Sequence, residues 1–390
     1  MLFHFFVIQI SSQCPETDVL DVSNDITTID PNQYENCAEI KNINFPNSLQ
    51  IIGESAFKNC IGLTKLDFPA KLEIINENAF SFCKNLQTIT FANPNTVIGA
   101  YCFTNCNNLK TISLPAALKE IKTSTFENCI NLNIIELPPS LSIIGDCAFK
   151  ACSALNFSKF PDTLISIGNE SFSNGVGISD LVFPEKLQKI GKSAFYNSQQ
   201  IKSIEFLGEN VQIGDNCFSQ CFVLAQIKFP SKLKQISSYL FDNCFMITKI
   251  ELPDTIETIG EFAFNKCKHL TEIQIPKLVK SLPEMVFLDC SNLVTLKLNE
   301  NLIFIGLGCF ENCKIDQLIL PISLKIIGDY AFHNCKELRF VQMYNKVTEI
   351  GEGCFKDCAS LEKISLSNSL KEISEFSDKN CFARKSDKSF

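Results

Sequence analysis

The chain has 390 residues, 45% of them hydrophobic, enough for a large core; length alone would suggest two or three globular domains. A formal net charge of −8 with interspersed signs argues against a general nucleic-acid binder, which would carry a basic stripe. There is no run of 18 apolar residues, so no transmembrane helix is predicted, and no proline-rich or glycine-serine linker marks an internal boundary.

The chain opens with Met1 to Ile10, an apolar stretch followed by Ser11, Ser12, Gln13 and Cys14. Residues 1–13 are therefore expected to be a signal peptide, the alternative being an amino-terminal strand that caps the first repeat. Residues 14–36 are expected to form an N-terminal cap, residues 37–381 a repeat array, and residues 382–390 a charged, frayed tail. The array is set by one phenylalanine that recurs every 23 residues from Phe57 to Phe310. One step of 22 leads to Phe332 and a further 23 to Phe355. Tyr34 keeps the frame one unit earlier; Asp378 keeps it one unit later, where a degenerate cap is expected. A cysteine follows each marker by three residues from Cys37 to Cys381, broken only at Gly175 and Ser198. A fixed period in this range identifies stacked repeats.

One unit, Leu63 to Cys83, shows the expected elements in order. Leu66 and Phe68 alternate with Lys65 and Asp67, as in a strand buried on one side, and Pro69 ends it. Lys-Leu-Glu-Ile-Ile then crosses the back of the unit. There an Ile-Gly pair in most units is expected to supply a turn conformation that a side chain would resist. Ala-Phe-x-x-Cys is expected to make a short helical turn with its apolar side inward. The fold class predicted is α/β: a solenoid of about 15 repeats of 23 residues, with a parallel β-sheet on one face and short helical turns or loops on the other. At ordinary sheet spacing, fifteen units would extend roughly 70 Å.

The run Leu-x-x-Ile-x-Leu-Pro-x-x-Leu-x-x-Ile-Gly-x-x-Ala-Phe-x-x-Cys is nearly unbroken from Ile247 to Cys267 and from Ile315 to Cys335, and it resembles the BspA-type leucine-rich repeat. The resemblance covers almost the whole array. It implies a surface or secreted antigen of the kind found in bacteria and in parasitic or mucosal protists, some of which bind host matrix proteins or host cells. The expected function is thus a non-enzymatic protein-binding solenoid, secreted or on the cell surface, acting in adhesion; the alternative is an intracellular scaffold or inhibitor. The expected partner is a protein ligand, such as a host matrix or cell-surface protein, and not nucleic acid. A proline and a shortened leucine spacing stand where the commoner leucine-rich consensus has its asparagine, so no asparagine ladder is assumed.

Chemistry is not expected. The cysteine column reads as buried free thiols, because the position before the marker alternates between Ala and Cys, as a small buried site would. Cys-x-x-x-Cys pairs such as Cys102 with Cys106 lack the second pair or the histidines of a zinc site, so neither metal nor cofactor is expected. His269 and His333 read as solvated side chains near the marker. The outward strand positions are the candidate binding surface. Ile134, Glu136, Phe157, Lys159, Asp180, Val182 and Glu205 are the residues expected to carry it, with Ile134, Phe157 and Val182 stacked on consecutive strands. The two N-x-Ser sequons, at Asn156 and Asn169, fall in the same stretch, and Ile319 and Phe340 are further outward apolar positions.

Overall fold

The computed structural model describes residues 14–373 apart from 158 and 176, together with the backbone but not the side chains of 134, 372 and 373. The expected signal peptide, the cap at Asp378, Cys381 and the tail lie outside the described residues. The chain divides into two compact units, one ending at Pro161 and the other beginning at Asp162.

In the amino-terminal unit the alternating segments are strands, as their period-two pattern requires. Lys65–Phe68, Thr88–Phe91, Thr111–Ile112 and Ile134–Ile135 form one parallel sheet in which Lys65 faces Thr88, then Thr111, then Ile134, each 23 residues on. Val19–Asp21 pairs likewise with Asn42–Asn44. A second parallel sheet is built from the Ile-Ile segments: Thr28–Ile29, Ile51–Ile52, Ile74–Ile75 and Val97–Ile98. The carboxy-terminal unit repeats both arrangements. Asp180–Phe183, Ser203–Phe206 and Gln226–Lys228 form one sheet, and Gln317–Ile319, Phe340–Gln342 and Lys363–Ser365 another. On its second face run Ser281–Leu282, Phe304–Ile305, Ile326–Ile327, Glu349–Ile350 and Glu372–Ile373. The 22-residue unit is absorbed here: Phe304 faces Ile326 in unbroken register.

Between the sheets the marker rings stack. In the first unit Tyr34, Phe57, Phe80, Phe103, Phe126 and Phe149 follow one another with centroids 5.1–5.8 Å apart and planes within 15°. In the second the stack runs from Phe172 to Phe355. These phenylalanines are fully or almost fully buried, and each offset-stacked pair adds to the area it removes from water.

The third side corrects the α/β expectation: among the described residues there is no helix. The reason is width. Helices pack about 8–10 Å apart, whereas consecutive units are spaced by the ring stack, 5.1 Å between Phe57 and Phe80. The chain instead alternates handedness around the marker. Ser55 and Asn59, two residues before and after Phe57, have φ of 54° and 58°, and most other units place positive φ at the same two positions. The N–H groups of Ser55, Phe57 and Asn59 then donate to Glu77, Ala79 and Ser81 of the next unit at 2.9, 2.8 and 2.7 Å. Those of Ala56, Lys58 and Cys60 close tight turns onto Gly53, Ser55 and Phe57. Every second donor thus bonds across units, as in a sheet, and the segment needs no helix to satisfy its backbone.

This geometry also produces an asparagine ladder, at a different place in the unit from the position after the strand where none was assumed. Asn59 Nδ2 donates to Asn36 Oδ1 at 2.9 Å, Asn128 to Asn105 at 3.1 Å, Asn197 to Asn174 at 3.0 Å and Asn312 to Asp289 at 2.7 Å. It runs two residues behind the marker, where asparagine suits the left-handed backbone. The Ile-Gly glycine plays a different part from the one expected. Gly99 has ordinary φ, but a Cβ there would lie 2.5 Å from the Asn76 carbonyl carbon of the unit before, so the requirement is close approach and not turn conformation. At two of the positions where the glycine is missing, a polar side chain reaches the carbonyl of the unit before: Asn76 Nδ2 donates to Ile52 O at 3.0 Å and Ser237 Oγ to Ile213 O at 2.5 Å.

Candidate binding surface

The pleat of the first strand fixes which side chains face out. In the amino-terminal unit Lys65 and Asp67 point to solvent and pair at 2.7 Å, while Thr90 Oγ1 donates to Asp67 at 2.6 Å. Burial alone would raise the Asp67 carboxyl, but the hydrogen bonds from Lys65 and Thr90 hold it below the ordinary carboxylate value. Ile134 occupies the outward backbone position facing Thr111, and its side chain is outside the described part of the structure. Glu136 and Lys159 are exposed.

Phe157 is a correction. It is 6% exposed and packs on Phe160, ring centroids 4.8 Å apart, so it does not face solvent. The 23-residue frame gives the reason. The inward strand position of this repeat, filled by Leu66, Ile89, Ile112 and Ile135 before it, falls on Ser158. A serine contributes little to an apolar core, and the neighbouring Phe157 is buried instead. The expected stacking of Ile134, Phe157 and Val182 fails on register as well, because Val182 stands 25 residues after Phe157 and not 23.

In the carboxy-terminal unit Asp180 faces Ser203 and Val182 faces Glu205, which in turn faces Lys228. Asp180 accepts hydrogen bonds from Ser179 Oγ and Ser203 Oγ, each at 2.5 Å, and these hold its carboxyl below the ordinary range. Glu205 pairs with Lys228 at 2.5 Å, and beside this pair Val182 is 43% exposed. Lys249 bridges Glu251 and Glu272 at 3.2 and 3.3 Å along one wall of a shallow groove that Gln274 and Lys297 also line. Farther along, the same unit turns apolar: Ile319 is 62% exposed, Ile322 59% and Tyr344 42%.

Several exposed positions escaped the sequence reading. Ile322 and Tyr344 lie just beyond the alternating strand and carry no pattern of their own. Ile74 and Val97 form an outward row on the second sheet of the first unit, next to half-buried Ile51, and face one another in register. Their signal was present: in each Ile-Ile pair only one side chain can face the core. His333, expected to be solvated, is part-buried between two carboxylates, with Nδ1 2.9 Å from Glu311 and Nε2 3.3 Å from Asp357. His269 places Nδ1 2.7 Å from the Phe245 carbonyl.

The cysteines hold the column to the backbone. Cys83 Sγ donates to Phe57 O at 3.3 Å, Cys106 to Phe80 O and Cys244 to Phe218 O, and the pattern continues through both units. Burial pushes these thiols up, to about 12 for Cys106 and Cys221. One pair differs. Cys14 and Cys37, 23 residues apart, form a disulfide. Cys14 belongs to the same column, one period before Cys37, and that spacing is the sequence signal of the pair.

The sequence profile of the BspA type leucine rich repeat region matches residues 12–133, 119–247, 189–311 and 304–387. The chain belongs to this family. Among solved structures, a leucine-rich repeat protein from Bacteroides ovatus is similar to the BspA-type chain at 24% identity and a TM-score of 0.54, over 90% of this chain and 88% of that one. A leucine-rich cell surface protein from Faecalibacterium prausnitzii aligns at 20% identity over 91% and 89%, with a TM-score of 0.46. The pneumococcal vaccine antigen PcpA aligns at 18% identity over 91% and 85%, with a TM-score of 0.43. A search of the curated proteins gives no match. The family is one of repeat proteins, and no enzyme family is indicated. Among the described residues no helix is long and apolar enough to cross a membrane.

Proposed function

We propose that this BspA-type chain is a non-enzymatic binding protein that works outside the cell, secreted or at the surface, and recognises a protein ligand through the outward strand positions of its units. The observation that carries the reading is the contrast between the two sides of each strand. Inward positions stay aliphatic, Leu181, Ile204 and Ile227 in one sheet, while the outward positions beside them change freely: Asp180, Ser203, Gln226 and Val182, Glu205, Lys228. Stacking requires the first set to be constant and leaves the second free for recognition. Within the first unit Ile134, Glu136 and Lys159 are the candidate contacts; within the second, Asp180, Val182 and Glu205. The family resemblance supports an adhesion role toward a host matrix or cell-surface protein. The Cys14–Cys37 disulfide supports an oxidising compartment.

The test is binding of the fluorescently labelled full chain to immobilised extracellular-matrix extract and to cultured epithelial cells. The wild type is expected to bind saturably, and Val182→Asp to weaken binding at least tenfold while thermal unfolding is unchanged. Absence of saturable binding, or binding indifferent to changes at Val182, Glu205, Glu136 and Lys159 alike, overturns the reading. The 17 free cysteines among the described residues favour the second reading, an intracellular scaffold; recovery of the native protein from the cytosol alone would establish it.

A further inference from the structure

We propose that the Cys14–Cys37 disulfide is a redox latch on the first turn of the amino-terminal unit, closed by exchange with an external disulfide donor and opened by thiol reductants. It goes beyond the binding reading and holds whatever the ligand is.

Three observations converge on this pair. First, the column treats its members unequally. From Cys60 onward the sulfur reaches back to a marker carbonyl in the unit before, Cys60 Sγ to Tyr34 O at 3.0 Å and Cys83 Sγ to Phe57 O at 3.3 Å. Cys37 is linked instead to Cys14, with Cα atoms 5.1 Å apart. Second, accessibility differs. Cys14 is exposed, whereas Cys37 and nearly every column thiol after it are buried. Exchange needs a thiolate that a reagent can reach. Burial pushes the Cys60 thiol up to about 12 and Cys83 well above its ordinary value, which leaves Cys14 as the entry point. Third, the first turn is thinly held. Val19–Asp21 has three residues in register with Asn42–Asn44, supported by the Lys41–Asp18 pair at 2.9 Å and by Asn44 Nδ2 on Asp21 at 2.6 Å, all exposed. Among the described residues its inward apolar side chains are few, Leu20 and Ile29 chief among them, and half-buried Tyr34 ends the ring stack on Phe57. A segment with so little burial opens readily unless it is tied.

The chemistry balances without any group from the rest of the chain. The Cys14 thiolate attacks the donor disulfide and expels one donor thiolate; Cys37, deprotonated, attacks the mixed disulfide at Cys14 and expels the second. The two S–H protons pass by way of solvent to the two expelled donor sulfurs, and the donor disulfide, having taken up two electrons, ends as two thiols. A reductant runs the same steps backwards.

The test uses the purified full chain, so its outcome does not depend on where the protein resides. After incubation in a glutathione redox buffer, peptide mapping without reduction is expected to find Cys14 linked to Cys37. Mild dithiothreitol is then expected to speed amide hydrogen exchange in residues 18–44 about a hundredfold, the opening a cross-link of this span suppresses, with residues 162–373 unchanged. Cys14→Ser should show the fast exchange with or without reductant. Cys14 found unlinked or bound elsewhere, exchange in 18–44 indifferent to reductant, or acceleration spread through both units overturns the proposal.

Discussion

Phe103 sits between Phe80 and Phe126 with ring centroids 5.8 and 5.7 Å away, fully buried, and the sheets on either side are spaced by that stack. Phe103→Ala leaves a ring-sized void and should cost about 3–5 kcal/mol in urea denaturation of the chain. Asn128 shows a different dependence, on backbone and side chain together. Its φ is 61°, and its Nδ2 donates to Asn105 at 3.1 Å. Asn128→Ala loses the bond and strains the left-handed backbone, about 1–2 kcal/mol, whereas Asn128→Gly loses only the bond and should cost less. Equal losses in the two variants would show that the backbone conformation is not what selects asparagine here. At Gly99 even one methyl is excluded by the Asn76 carbonyl carbon 2.5 Å away, so Gly99→Ala should cost about 1–3 kcal/mol, read in the same denaturation experiment.

At the scale of elements, the strands, their faces and the repeat boundaries were legible because period-two alternation and the 23-residue frame each state a geometric fact. The Ala-Phe-x-x-Cys segment was misread because its apolar spacing, marker to cysteine, is also that of a helix face. What decides against a helix is the 5.1 Å ring spacing between units, a property of the stack and invisible within one repeat. The asparagine column two residues behind the marker, Asn59, Asn105, Asn128 and Asn174 among others, was the readable sign of left-handed turns. Of the candidate surface, Glu136, Lys159, Asp180 and Val182 were placed outward by alternation alone. Phe157 was misplaced because the 23-residue frame puts a polar residue, Ser158, at the position that is aliphatic in the units before, and alternation there no longer says which neighbour turns in. The thiol column belongs to this scale too. Its pKa values lie above those of the unfolded thiols, near 9, so the unfolded chain releases protons first. Stability should therefore be level up to about pH 8 and decline as pH rises from 9 towards 12, the value for Cys106 and Cys221. Pulse alkylation of the native chain at pH 8 should correspondingly leave Cys106, Cys221 and Cys244 unmodified; rapid labelling there would show that the column is not closed.

For the molecule as a whole, repeat architecture divides the work between constant and variable positions. Each unit spends its constant positions on stacking, which leaves the outward residues free to vary, and surface ion pairs among them, such as Glu205 with Lys228, contribute little to stability. Such residues are exposed wherever the chain resides, so under the proposed function location decides whether they meet a host protein. The most direct measurement is labelling of intact cells of the source organism, and of their culture medium, with a membrane-impermeant amine reagent, followed by peptide mapping. The account predicts Lys159 and Lys228 labelled before lysis or in the medium, with Cys14 and Cys37 linked. Labelling that appears only after lysis, with both cysteines as thiols, would contradict it.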